Sequence, residues 1–180
     1  MLRLAALLSF ASVCLVSDAV AQHRLITQGN GRLAVIERDG SISWDMKWGG
    51  IHDVHVLPNG RILVQQGAAK VAEIDPESKS VVWSYDSSAQ NGNAGKKVEV
   101  HAFQPLGEGR LMIAESGPAR LIEIDRDGRL LKEVPLKVEH PHPHTDTRLA
   151  RKLPSGNYLV CHEGDGTRVR RAFGATRLGV

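Results

Sequence analysis

Beyond the first 21 residues, short apolar runs follow one another along the chain with polar turns between them. Many of these turns hold Asn-Gly, Glu-Gly, Ser-Gly or Asp-Gly, the dipeptides that favour hairpins between antiparallel strands. Helix-capping patterns are scarce in the same region. The pattern therefore predicts an all-β fold built from short antiparallel strands.

A longer unit repeats along these strands. Its first half appears as HDVHVLPNGRILVQQG (residues 52–67), HAFQPLGEGRLMIAESG (residues 101–117) and RLARKLPSGNYLVCHEG (residues 148–164). Its second half appears as LAVIERDGSISWDM (residues 33–46), VAEIDPESKSVVWSY (residues 71–85) and LIEIDRDGRLLKEV (residues 121–134). One unit thus contains four short strands in about fifty residues, which predicts the blade of a β-propeller. A β-sandwich would not explain why the whole unit repeats.

The number of units predicts an incomplete propeller of about three to three and a half blades. The expected parts are a blade end (residues 22–48), a blade (49–86), a linker (87–98), a blade (99–137) and an incomplete blade (138–180). Closed propellers have about four to eight blades, and the last copy departs from the pattern after Gly164. We therefore expect a fragment of a longer propeller, or a chain that associates with itself to complete a ring.

The N-terminus has the layout of a secretory signal peptide over residues 1–21. Arg3 is followed by the apolar stretch LAALLSFASVCLV and by the cleavage signal Ala19-Val20-Ala21. Cleavage would remove Cys14 and leave Cys161 without a partner for an internal disulfide. Because no later segment is apolar enough to span a bilayer, we expect a secreted or periplasmic protein without an integral membrane segment.

The net charge of +3 does not indicate a nucleic-acid-binding protein. Four arginines near the C-terminus account for it: Arg168, Arg170, Arg171 and Arg177. Aromatic residues make up only 4% of the chain, too few for a surface on which bases stack. We therefore expect no nucleic-acid partner.

In register, the units resemble the quinoprotein-like (PQQ-like) β-propeller superfamily. The spacing in DPESKSVVW (residues 75–83) is similar to the family's tryptophan-docking motif, in which Trp83 would lock a blade against its neighbour. Trp44 fits after a shorter turn, and Lys132 replaces the tryptophan in the next unit. The resemblance admits pyrroloquinoline quinone as a cofactor, but the family's dehydrogenases need a full ring, calcium and usually a vicinal cysteine pair. We therefore expect that no cofactor is required.

A second resemblance points to chemistry. IHDVHVLPNGRILV (residues 51–64) looks like a blade of the arylsulfotransferase-type propellers, in which His-Asp often opens the innermost strand. The resemblance implies that channel-lining histidines carry sulfuryl transfer, and it makes His52 and His101 candidate catalytic residues. Arg148 occupies the same place in the third copy.

If the first strand of each blade lines the central channel, His52, His101 and Arg148 converge near one rim. These residues, together with His144, are the candidate ligand-binding residues. An arginine beside histidines suits a sulfate or phosphate anion, and a neutral histidine can act as a nucleophile or acid–base group. Alternatively, the same side chains only cap strand ends.

The stretch His140-Pro141-His142-Pro143-His144 suggests a metal site at first sight. Its alternating prolines exclude a helix or a central strand and leave an extended or polyproline-like segment. Zinc sites usually add cysteines or a second histidine pair at fixed spacing, and neither occurs here. Asp146 and His162 would add ligands only if the fold brought them in. The sequence therefore predicts a stiff loop and no metal.

Three functions are consistent with these features. The preferred one is an extracytoplasmic propeller module that binds an unknown protein partner or a small anionic ligand at its channel rim. The first alternative is an arylsulfotransferase-like enzyme that acts through channel histidines. The second alternative is a remnant of a quinone-dependent dehydrogenase. The sequence does not decide whether the chain is an enzyme, because fold does not imply function.

Overall fold

The computed structural model describes residues 23–163 and, for the backbone alone, residues 168–172. The predicted signal peptide lies outside the described residues, as do the last residues of the incomplete blade. Within the described ranges, no helix has the length and apolar character needed to cross a membrane.

The described residues form antiparallel sheets in which the strands follow chain order, as a propeller blade requires. The first sheet contains β1 (Leu25–Gly29), β2 (Arg32–Ile36) and β3 (Ile42–Lys47). The second contains β4 (Val54–Val56), β5 (Ile62–Gln66), β6 (Lys70–Asp75) and β7 (Ser80–Asp86). The third contains β8 (Glu99–Gly107), β9 (Arg110–Ser116), β10 (Arg120–Ile124) and β11 (Leu130–Pro135). The fourth contains β12 (Leu149–Lys152), β13 (Tyr158–His162) and β14 (Arg168–Ala172).

The structure repeats as the sequence does, down to local irregularities. A register shift occurs at the same place in three sheets: Val35/Ile36, Glu73/Ile74 and Glu123/Ile124. The turn between β8 and β9 is Glu108-Gly109, and both residues have positive φ, 51° and 71°. That geometry is a type I′ turn, which explains why Glu-Gly closes this hairpin. The all-β prediction and the four-stranded blade are confirmed.

The hydrophobic core lies between successive sheets rather than within one of them. One cluster joins Leu63 and Val71 of the second sheet to Phe103 and Ile113 of the third. Because a middle strand is covered on both faces, β10 is buried along its whole length, whereas the outer strand β11 is mostly exposed. The described sheets do not close into a ring, in agreement with the predicted incomplete propeller.

The predicted tryptophan docking is present between neighbouring sheets. Trp44 on β3 donates its indole Nε1–H to the Pro76 carbonyl, 2.7 Å away in the β6–β7 turn. Trp83 on β7 donates in the same way to the Arg126 carbonyl at 2.7 Å, in the β10–β11 turn. The Arg126 guanidinium also lies 4.1 Å from the Trp83 ring centroid, within the range of a cation–π contact. Each outer tryptophan therefore ties its blade to the next.

We expect Trp83→Phe to lower the free energy of unfolding by about 1 kcal/mol, because it removes one inter-blade hydrogen bond and keeps most of the packing. Urea denaturation followed by circular dichroism would measure the loss. Val82→Ala on the same strand is the control and should change stability by less than about 0.5 kcal/mol, because Val82 is 43% exposed. Equal losses for the two variants would contradict a docking role.

Candidate functional site

The first strands of three successive sheets bring the predicted site residues together. The rings of His52, just before β4, and His101, on β8, lie edge to face with centroids 4.5 Å apart. Arg148, just before β12, places Nη1 3.1 Å from His101 Nδ1. The His144 ring also lies edge to face with the His101 ring, with 5.4 Å between centroids. These four residues form one group, which we call the rim cluster, while their roles stay predictions.

The structure adds two carboxylates that the sequence analysis missed. Glu99 Oε2 lies 2.8 Å from His144 Nδ1 and 3.3 Å from His101 Nε2. Glu163 Oε2 lies 2.9 Å from Arg148 Nε. Simple strand alternation would not have placed Glu99 beside His101, because a register shift between Val100 and Ala102 interrupts β8 there. We include Glu99 and Glu163 in the rim cluster.

The environment of the rim cluster keeps two of its imidazoles neutral. His101 is 1% exposed, and burial, together with the nearby Arg148 charge and His52, lowers its pKa to about 4. Burial and Arg148 also lower the pKa of His52. Burial by itself would raise the pKa of Glu99, but its hydrogen bond to His144 and the surrounding positive charge hold that pKa below the ordinary value. At neutral pH, His52 and His101 are therefore neutral and Glu99 is ionised.

The charged groups of the rim cluster do not favour an anionic ligand. Arg148 is the one guanidinium in the rim cluster, and it is already paired with Glu163 and hydrogen-bonded to the His144 carbonyl at 3.0 Å. The two carboxylates outweigh its charge, so the cluster offers a sulfate or phosphate no surplus positive charge. Both His101 ring nitrogens have partners as well, Arg148 and Glu99. Sulfuryl transfer through His101 would have to break one of these contacts, and it stays a prediction.

The histidine–proline loop is held by Asp146, which is 1% exposed. Its carboxylate accepts hydrogen bonds from the backbone N–H of Gly117, at 2.9 Å, and of His142. Its carbonyl contacts the ring of His162. Gly117 has φ of +91°, and a Cβ there would lie 2.2 Å from the Lys97 carbonyl oxygen, so the anchoring turn requires glycine. Asp146 and His162 therefore anchor the loop, and among the described residues only His144 of the three loop histidines joins a potential ligand group.

A second polar contact set, which the sequence analysis did not single out, lies on the same inner strands. Arg151 on β12 forms a bidentate ion pair with Asp53, with distances of 2.8 and 3.0 Å. Asp53 also accepts a hydrogen bond from the Phe103 backbone N–H at 3.1 Å and lies 3.5 Å from His55. Burial would raise the pKa of Asp53, but these partners hold it below the ordinary value. The set joins three sheets and is structural rather than solvent-facing.

The fold and its convergent inner strands define the class of protein: a β-propeller built from four-stranded blades. A family model described as "Outer membrane protein assembly factor BamB" matches residues 29–175. The chain belongs to this family of PQQ-like β-propeller repeats. The predicted PQQ-like resemblance is thereby confirmed, whereas the resemblance to arylsulfotransferase-type blades stays a prediction.

Two solved β-propeller domains show the same fold at low sequence identity. The WD40 β-propeller domain of Doa1 is 12% identical with a TM-score of 0.58, over 81% of this chain and 45% of that one. The β-propeller domain of Cps50 (Swd1) from Myceliophteria thermophila is 14% identical with a TM-score of 0.53, over 81% of this chain and 45% of that one. A protein of unknown function from Bacteroides caccae is 17% identical with a TM-score of 0.49, over 83% of this chain and 57% of that one. The chain thus spans about half the length of these proteins. A search of curated proteins found no match.

One feature that is usual in the quinone-dependent dehydrogenases of this superfamily does not occur in the sequence. The chain has two cysteines, Cys14 and Cys161, so a vicinal cysteine pair does not occur. Cys161 is a free thiol on β13. The expectation that no cofactor is required stays a prediction.

Proposed function

We propose that this chain is an extracytoplasmic β-propeller module that binds a protein partner at the rim cluster. The observation that carries the proposal is the family match over residues 29–175. The family description names an assembly factor for outer membrane proteins, a role that requires contact with other proteins. The same description, with the predicted signal peptide, supports a periplasmic location.

The rim cluster is the part of the molecule best suited to this role. The side chains of His52 and His144 are exposed. Glu99 pairs with His144, and the hydrogen bond from the Gly117 N–H to Asp146 holds the loop that carries His144. A surface of exposed polar groups on a rigid support loses little conformational entropy on binding. The outer strands instead carry scattered exposed apolar residues, which are common on protein surfaces and need no partner.

Photo-crosslinking tests the proposal in cells. The full chain would be produced in a Gram-negative bacterium with p-benzoylphenylalanine in place of His52 or, separately, His144. We expect each variant to be processed, to fractionate with the periplasm and to give a discrete adduct with another protein on irradiation. Mass spectrometry would then identify the partner in the adduct.

The matched control carries the same crosslinker at Val82, an exposed position on the outer strand β7. We expect no adduct from this position. Equal adducts from Val82 and the rim positions would contradict binding at the rim. Retention of the unprocessed chain in the cytoplasm would contradict the extracytoplasmic role.

A further inference from the structure

We propose that Glu99, His101 and His144 form a binding site for a divalent transition-metal ion of the zinc class. Each residue offers one ligand atom, and these three atoms all lie within 4.8 Å of one another. The inference goes beyond partner binding and does not depend on it. It also differs from the metal site suggested by the histidine–proline loop, because it takes one ligand from that loop and two from β8.

Two of the three separations between the ligand atoms are close to those around a tetrahedral ion, and the third is below 4.8 Å. Glu99 Oε2 lies 2.8 Å from His144 Nδ1 and 3.3 Å from His101 Nε2. Ligand atoms bound about 2.0–2.1 Å from zinc stand roughly 3.3 Å apart in tetrahedral geometry. An ion therefore fits between these atoms after small side-chain movements. Two imidazoles and one carboxylate also form a known zinc ligand set, which leaves the fourth position for water or another ligand.

The backbone around the three ligands is already ordered. Glu99 and His101 both lie on β8, where a register shift between Val100 and Ala102 leaves His101 without a partner on β9, and Glu99 Oε2 lies 3.3 Å from His101 Nε2. His144 comes from the loop that Asp146 anchors through its hydrogen bonds to Gly117 and His142. Metal binding would therefore not have to order a flexible segment, which favours affinity.

The charges of the rim cluster suit a cation. Two carboxylates, Glu99 and Glu163, outweigh the single guanidinium of Arg148. Binding would require each ligating imidazole to carry its one proton on the ring nitrogen away from the ion. For His101 that nitrogen is Nδ1, which lies 3.1 Å from Arg148 Nη1, so the Arg148 contact must break. Arg148 therefore opposes the ion both by charge and by this contact.

Zinc titration of the purified full chain, freed of metal with a chelator, tests the site by isothermal calorimetry. We expect one ion to bind per chain, and Glu99→Gln and His144→Ala each to weaken binding about 100-fold. Both variants should fold, because glutamine preserves the shape of Glu99 and His144 is exposed. His140→Ala, an exposed histidine of the same loop outside the ligand group, is the matched control and should bind as the unaltered chain does.

Arg148→Met gives a second, opposite expectation. Removing the guanidinium should tighten zinc binding about tenfold or more, whereas surface histidines that bind zinc adventitiously would not respond to this change. Titration with Co²⁺ should give the visible absorption of tetrahedral cobalt, and Glu99→Gln should abolish it. Unchanged zinc affinity in Glu99→Gln, or an equal loss in His140→Ala, would overturn the proposal. So would binding that requires millimolar zinc. Rim crosslinks that persist alongside such a result would leave the proposed function intact.

Discussion

Replacing Asp53 with alanine should lower the free energy of unfolding by about 3 kcal/mol or more. Asp53 is 7% exposed and accepts two hydrogen bonds from Arg151 and one from the Phe103 backbone. The substitution leaves a buried N–H of Phe103 without an acceptor and separates the inner strands of three sheets. Urea denaturation, followed by both circular dichroism and tryptophan fluorescence, would measure the loss.

Asp39→Ala is the control for this prediction. Asp39 is exposed and only accepts hydrogen bonds from Ser41 within its own turn, so we expect a loss of less than about 1 kcal/mol. A double-mutant cycle with Arg151→Met should also show a coupling energy of about 1 kcal/mol or more between Asp53 and Arg151. If Asp53→Ala unfolds like Asp39→Ala, the ion pair does not hold the blades together.

The Asp53 contribution should depend on pH in a definite direction. Its partners hold the pKa of Asp53 below the ordinary value of 3.8, so the folded chain keeps the carboxylate ionised where the unfolded chain takes up a proton. The stabilisation is therefore fully present above the unfolded pKa and is lost as the pH falls below about 3.8 through the lower folded pKa.

As the pH falls, protonation linked to His101 should destabilise the protein at a higher pH than the loss of the Asp53 contribution does. The unfolded histidine takes up a proton near its ordinary pKa of 6.5, whereas burial beside Arg148 keeps the folded pKa of His101 at about 4. The unfolded chain thus binds more protons between these values, and stability falls as the pH drops from 6.5 to about 4. The full effect is about 3 kcal/mol, and it should level off below the folded pKa.

Denaturation at a series of pH values in chelator-treated buffer would measure this loss for the unaltered chain and for His101→Gln. Glutamine can still accept from Arg148 and donate to Glu99 but takes up no proton, so its profile should be flatter between pH 6.5 and 4. A nuclear magnetic resonance titration of the His101 ring gives an independent value. Superimposable stability profiles, or a ring that titrates near 6.5, would show that His101 is not buried in this way.

The inner strands carry two polar groups with different tasks. Asp53 and Arg151 lie inward and hold the blades, whereas the rim cluster presents His52 and His144 to solvent. Asp53 directly follows His52 in the chain, so one His-Asp dipeptide contributes to both groups. The sequence analysis singled out His52 of this dipeptide, whereas in the fold Asp53 joins three sheets through Arg151 and the Phe103 backbone.

Features that depend on neighbours in the chain were predictable. The turn dipeptides and the repeated four-strand unit predicted antiparallel blades, because turn conformation and side-chain alternation are local properties. The docking of Trp44 and Trp83 followed from the same register, since each blade repeats the outer strand and the turn that receives it. The convergence of His52, His101 and Arg148 also followed, because equivalent positions in successive blades face one axis.

The sequence by itself thus determined the all-β repeat, the family and the place where inner strands meet. Only the tertiary structure decided what that place contains. Glu99 meets His144 and Asp53 meets Arg151 across long separations in the chain, and no local pattern marks such pairs. In the rim cluster, Glu99 and Glu163 together outweigh the single positive charge of Arg148. The physical reason is that charge and pKa depend on all groups within a few ångströms in space, whatever their distance along the chain.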